Sequence, residues 1–90
     1  MTVQLFDYEY FSGYGNSFYG NVSDLTDYGM GYYYDWNDQA SSAKTSAYYT
    51  VFWEDAGYEG RYWTVSAGEF PSLEAAGVPS NTVSSFKQYY

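Results

Sequence analysis

The chain has 90 residues, a formal net charge of −8 and 14 tyrosines, but it has no cysteine and no histidine. A chain of this length forms one small domain, or two small halves that share a core. The missing cysteine and histidine exclude disulfides, thiolate metal sites and the commonest nucleophile–base pairs. Three basic residues against eleven acidic ones also argue against nucleic acid or an anionic membrane as partner, because both need clustered Lys and Arg.

Disorder and membrane insertion are not expected either. Aromatic residues make up 26% of the chain, whereas acidic disordered segments are poor in them. No apolar run is long enough to span a membrane. Residues 1–4 carry no basic segment and no long apolar segment, so no signal peptide is expected here. The compartment stays open, with an extracellular or secreted location slightly favoured.

Short segments rich in Tyr, Phe, Val, Thr and Trp alternate with clusters of Gly, Asn, Asp and Ser. This pattern predicts many short strands joined by tight turns, and no stretch has the apolar spacing of a helix. In chain order, the predicted strands are residues 3–6, 17–19, 48–53, 61–65 and 83–88. The predicted fold class is therefore all-β, as a sandwich or a barrel.

The two halves of the chain share one hairpin pattern, which is aromatic, acid, three residues, aromatic, one residue, glycine. It occupies residues 6–13 and again residues 53–60. A glycine at its end is expected to supply a positive φ or a close backbone approach, while the aromatic rings stack across the turn. A Ser-Ser pair follows in each half, at residues 41–42 and 84–85. We interpret the halves as duplicates of one unit.

Duplicated units in an all-β chain predict two Greek keys packed as a sandwich, because each unit alone is too small to bury its apolar face. We therefore expect one domain over residues 1–90, with the first key at about 1–46 and the second at about 47–90. The residues expected in the shared core are Leu5, Phe11, Leu25, Val51, Tyr58, Leu73, Val83 and Phe86.

Two six-residue segments are dense in oxygen donors and lack imidazole and sulfur ligands. They are residues 37–42 (NDQASS) and 80–85 (SNTVSS). Calcium prefers six to eight oxygen ligands from carboxylates, carbonyls and hydroxyls, so these segments suit it better than zinc or magnesium. Such clusters also occur in ordinary turns. The recurrence of the segment after the same hairpin pattern favours the calcium interpretation.

With these motifs, the chain resembles the βγ-crystallin family, in particular its microbial calcium-binding members. That family has the same hairpin followed by an Asn/Asp-Asn/Asp-x-x-Ser/Thr-Ser segment once per Greek key, and both signatures occur twice here. The resemblance covers essentially the whole chain. It implies a βγ-crystallin-like sandwich with two calcium ions at one end, each shared between the two keys.

The resemblance implies a ligand set for each ion, made of three backbone carbonyls and one hydroxyl from the other key. The first set consists of the carbonyls of Asp7, Asn37 and Gln39 with the hydroxyl of Ser84. The second set consists of the carbonyls of Glu54, Ser80 and Thr82 with the hydroxyl of Ser41. Asp38 and Asn81 would shape the loops or ligate weakly. Because Ser80 stands where the family has Asn or Asp, the second site is expected to be the weaker one.

The run of tyrosines at Tyr32, Tyr33 and Tyr34, followed by Trp36, is an insertion in the first half. Strand side chains alternate, so some of these rings must be exposed. They form either an edge strand with surface rings or a recognition surface for a protein partner or for self-association. The alternative function is therefore an interaction or inhibitor module, and a third is a pure stability domain.

Enzymatic activity is not expected. A glycosidase needs two carboxylates opposed across a deep cleft, which a sandwich of this size rarely has. The serines have no histidine partner. The glycine pair Gly13 and Gly15 lacks the helix and lysine of a phosphate-binding loop.

Overall fold

The structure is a computed structural model that describes residues 1–29 and 35–89. Within those ranges the elements are β1 (Val3–Tyr8), β2 (Ser12–Phe18), a 3₁₀ helix (Leu25–Asp27), β3 (Ser42–Asp55), β4 (Glu59–Phe70) and β5 (Ser85–Tyr89). The all-β prediction is confirmed. None of the helical structure in the described part of the chain is long and apolar enough to cross a membrane.

Two long strands, β3 and β4, each take part in both halves of the sandwich. Residues 42–45 of β3 pair with β1 and with residues 68–70 of β4, and β1 also pairs with β2. Beyond a register shift, residues 49–55 pair with residues 59–66 of β4. Residues 49–53 also pair with β5. All of these pairs are antiparallel.

Each half of the sandwich borrows one strand segment from the other half of the chain. The sheet that contains β1 and β2 is completed by residues 68–70 of β4. The sheet that contains β5 is extended by Val22, which forms a bridge with Phe86. This exchange confirms the predicted Greek-key sandwich and means that neither half of the chain completes its own sheet.

The core lies between the two sheets and is built from both halves. Leu5, Leu25, Leu73, Val83 and Phe86 are fully buried, as predicted, and Val51 is buried as well. The other buried apolar residues of the core cluster are Val3, Phe18, Val22, Trp36, Ala40, Ala43, Phe52, Val65 and Val78.

The prediction was wrong for Phe11 and Tyr58, which are only half-buried. Both lie at the tips of the folded hairpins with left-handed φ angles of +59°. Phe11 packs edge-on to Phe6, with ring centroids 5.6 Å apart, and Tyr58 packs in the same way on Trp53 at 5.3 Å. The hairpin fold therefore keeps these rings on the outside of the sheets, where they cover the hairpins and not the core.

Candidate cation sites at the crossing loops

The two oxygen-rich segments form equivalent loops, which we call the first loop (37–42) and the second loop (80–85). Asp38 and Asn81 hold left-handed φ angles of +58° and +59°. Asn and Asp tolerate this conformation better than other non-glycine residues. The Asp38 N–H donates to the Val83 carbonyl and the Asn81 N–H donates to the Ala40 carbonyl, both at 3.0 Å. Each loop is thus held by the backbone of the other.

The serine hydroxyls also cross between the loops. Ser84 Oγ lies 3.1 Å from Asp38 Oδ1, and Ser41 Oγ lies 3.5 Å from Asn81 Oδ1. Both serines are buried. The structure therefore brings Ser84 to the first loop and Ser41 to the second loop, which is the exchange that the family resemblance implied.

The backbone of each serine is tied to the strand that precedes a hairpin. The Ser41 N–H donates to the Phe6 carbonyl at 2.8 Å, and the Ser84 N–H donates to the Trp53 carbonyl at 2.9 Å. The next residues along those strands are Asp7 and Glu54, the two hairpin residues of the implied ligand sets. Both hairpins and both loops therefore meet at the same end of the sandwich.

Asp7 and Glu54 occupy irregular positions of their strands. The ladder between β1 and β2 shifts register between Phe6 and Tyr8, and the ladder between β3 and β4 shifts between Trp53 and Asp55. A bulge of this kind leaves the extra residue outside the regular ladder of hydrogen bonds. The position is suited to turning a backbone carbonyl toward a ligand.

The carboxylates of Asp7 and Glu54 already hold their own hairpins. Asp7 Oδ1 accepts from the Tyr14 N–H at 2.7 Å, and Glu54 accepts from the Arg61 N–H at 3.0 Å and from Arg61 Nε at 2.9 Å. The hydrogen bond from the Arg61 backbone, with the side-chain bond and the charge of Arg61, lowers the pKa of the Glu54 carboxyl despite some desolvation. These carboxylates therefore have structural partners within their own hairpins.

The donor chemistry of this end suits calcium better than zinc. The described ranges contain no group of three or more Asp, Glu, His or Cys side chains arranged to hold a metal ion. A cation bound here would rely mainly on carbonyl, hydroxyl and amide oxygens, with the Asp38 carboxylate beside the Ser84 hydroxyl. Calcium accepts such neutral oxygen ligands and irregular geometry, whereas zinc prefers nitrogen and sulfur.

The two loops differ in charge and in their internal hydrogen bonds. In the first loop, Asp35 Oδ1 accepts from the Asn37 N–H at 3.0 Å, so Asp35 and Asp38 both place carboxylates beside it. The second loop has no acidic residue, and its Ser80 carbonyl already accepts from Thr82 Oγ1 at 3.1 Å. The physical asymmetry agrees in direction with the expectation that the second site is the weaker.

The second serine of each Ser-Ser pair has a role that the sequence pattern did not predict. Ser42 Oγ accepts from the Phe11 N–H at 3.1 Å and donates to the Tyr8 carbonyl at 2.6 Å. Ser85 Oγ likewise accepts from the Tyr58 N–H at 3.2 Å and donates to the Asp55 carbonyl at 2.7 Å. The duplicated Ser-Ser pair was the available signal. It joins a crossing serine to a serine that fastens the adjacent hairpin.

The structure describes only part of the tyrosine-rich insertion. Tyr32, Tyr33 and Tyr34 lie outside the described residues, so the interaction surface stays a prediction there. The prediction that Trp36 belongs to an exposed interaction surface is wrong. Its side chain is only 1% exposed and lies edge-on to Phe18, with ring centroids 6.3 Å apart. A large apolar ring at the entrance to the first loop is most stable inside the core, so Trp36 anchors that loop and cannot display a binding surface.

Comparisons with known proteins agree with this architecture. The beta/gamma crystallin family model matches residues 2–89. A βγ-crystallin from an archaeon is 32% identical, with 97% of this chain and 95% of that chain covered and a TM-score of 0.82. A βγ-crystallin from Ciona intestinalis is 26% identical, with 98% and 99% of the two chains covered and a TM-score of 0.85. No curated protein sequence matches the chain. With its doubled hairpins, exchanged strand segments and near-complete family match, the chain belongs to the beta/gamma crystallin family.

Proposed function

We propose that this chain is a calcium-binding βγ-crystallin domain in which two shared sites stabilise the fold and order the loops. The ligands of the first site are the carbonyls of Asp7, Asn37 and Gln39 and the hydroxyl of Ser84. Those of the second site are the carbonyls of Glu54, Ser80 and Thr82 and the hydroxyl of Ser41. Residues 1–90 act as one domain, with the keys at about 1–46 and 47–90.

One observation supports the proposal above the others, namely the crossing of Ser41 and Ser84 between the loops. A hydroxyl buried beside a carboxylate or amide oxygen of the opposite loop gathers oxygen atoms from both halves at one place. Ordinary turns satisfy their polar groups locally and need no such exchange. The crossing is therefore better explained by a shared ligand than by turn formation alone.

Calcium binding would then be coupled to folding, because each site exists only when both halves are in place. A ligand at about 100 times its Kd stabilises the folded state by roughly 2.7 kcal/mol per site. This is a large part of the ~5–15 kcal/mol by which small domains are stable. Divalent cations would also reduce the self-repulsion of a chain with net charge −8.

Thermal unfolding of a chelated sample, compared with the same sample in excess calcium, tests the proposal. We expect a large rise in Tm with calcium, and isothermal titration should count two ions per chain. Sodium chloride at matched ionic strength is the control for charge screening, and magnesium at the same concentration is the control for a general divalent effect. An equal Tm in chelator and in calcium would refute the stabilising role.

A further inference from the structure

Two tyrosine rings stack on each other in the sheet that contains β5. Tyr49 on β3 and Tyr89 on β5 are cross-strand partners. Their ring centroids lie 4.7 Å apart and their planes differ by only 9°. Both side chains are half-buried, so they are held in place and are still reachable from solvent.

We propose that Tyr49 and Tyr89 form an oxidative modification site, in which a peroxide-dependent one-electron oxidant joins the two rings as an intramolecular dityrosine. The proposal does not depend on calcium binding. It rests on two phenols that the strand register holds together, which replaces a bimolecular encounter by a pre-positioned one.

The reaction balances with hydrogen peroxide as the oxidant and a haem peroxidase as its catalyst. Each phenol loses one electron and one proton and becomes a phenoxyl radical. The two radicals couple through an ortho carbon of each ring, and a carbon–carbon bond forms. The coupled rings are dienones, and each then loses its ortho proton while its carbonyl oxygen gains one, which restores both aromatic phenols. Hydrogen peroxide takes up the two electrons and two protons and becomes two molecules of water.

Other aromatic contacts near this pair are less suited to the coupling. Tyr48 is 75% exposed and contacts Tyr49, but the centroids are 6.0 Å apart and the planes differ by 71°, so an edge faces a ring. Trp53 provides the partner ring for both Tyr58 and Tyr62, so neither contact joins two phenols. Tyr48 can act as the exposed phenol at which oxidation begins, next to the stacked pair.

The cross-link would fasten β5 to β3, its partner in the sheet. A bond between Tyr49 and Tyr89 would hold β5 against β3, and closing a long loop also restricts the unfolded chain. The oxidised monomer should therefore have a higher Tm than the untreated protein.

The full chain, treated with a haem peroxidase and hydrogen peroxide, provides the test. Intact mass of the monomer should fall by two hydrogen atoms, and dityrosine fluorescence should appear in the monomer fraction at all dilutions. The basic residues Lys44, Arg61 and Lys87 divide the chain so that trypsin releases residues 45–61 and 88–90. We expect these two peptides to be joined.

Matched variants identify the atoms involved. Tyr49→Phe and Tyr89→Phe keep the rings but remove the phenols, and each should reduce the intramolecular product by roughly tenfold or more. Tyr62→Phe is the control, since Tyr62 is 65% exposed, lies on the same sheet and has a tryptophan partner. A product that persists in both single variants, joins other peptides or forms only between chains would overturn the proposal.

Discussion

Replacing Ser84 by arginine should remove the first calcium site and spare the second. Ser84 is 5% exposed, and its hydroxyl lies 3.1 Å from Asp38 Oδ1. A guanidinium attached at this position would pair with the Asp38 carboxylate and would put a fixed positive charge where the ion is proposed to bind. The proposed second site uses the hydroxyl of Ser41, which the substitution does not touch.

The expected change in the calcium-induced rise in Tm follows from the loss of one of the two proposed sites. With calcium at about 100 times Kd, each site contributes roughly 2.7 kcal/mol of ligand-linked stability. In a domain of this length, 1 kcal/mol changes Tm by roughly 4–8 °C. The calcium-induced rise in Tm should therefore be smaller in the variant by about 10–20 °C.

The assay compares Ser84→Arg with its own chelated state, so that any packing cost of the larger side chain cancels. Isothermal titration should then count one ion instead of two. Ser41→Arg is the matched control for the second site. It should also leave one ion, but with the higher affinity, because the first loop has carboxylates beside it. Two ions bound by Ser84→Arg, or an unchanged rise in Tm, would refute the assignment of Ser84 to the first site.

Two predictions concern residues that are not in the proposed ligand sets. Gly13 has a φ of +77°, and a Cβ there would overlap Asp7 Oδ1. Gly13→Ala should therefore lower the free energy of unfolding, measured in urea, by roughly 1–2 kcal/mol. Gly20→Ala is the control and should lower it less, because the space around Gly20 is open. The side-chain and backbone hydrogen bonds from Thr26 lower the pKa of the Asp24 carboxyl below 3.8. A lowered folded-state pKa contributes stability above the unfolded value that is lost as the pH falls through the folded value. The stability difference between wild type and Asp24→Ala should therefore shrink below pH 3.8, and a constant difference across that range would contradict it.

The hydrophobic pattern was sufficient to predict the fold class but not the length of the strands. Residues 48–53 were predicted as a strand from their β-branched and aromatic content, whereas residues 42–47 of the same strand have a weaker pattern. They become extended because they pair with β1 and β4 at once. In the same way, β2 contains two glycines and is formed by its pairing with β1. Tertiary pairing here outweighs local preference.

The arrangement of the candidate sites was predicted from the internal duplication and the family resemblance, and not from the hydrophobic pattern. The duplication brought residues 37–42 and 80–85 into register, and the family resemblance supplied the exchange of serines. Residue types alone could not place Trp36, because alternation within the run shows that some rings are exposed without showing which ones. Burial answers the question for Trp36, whose ring lies in the core.

The use of backbone carbonyls explains how the second site could persist without an acidic residue in its loop. A carbonyl is available at any residue type, so Ser80 in place of Asn or Asp changes the shape and charge around the ion but not the number of main-chain donors. The hydroxyl is different, because the proposed ligand set takes it from one residue, Ser41, which belongs to the other half of the chain. Loss of the crossing serine should therefore impair a site more than replacement of a carbonyl donor such as Ser80 or Thr82. Cation binding at the proposed sites then depends on the contact between the two halves of the chain, and the same contact holds the sandwich together.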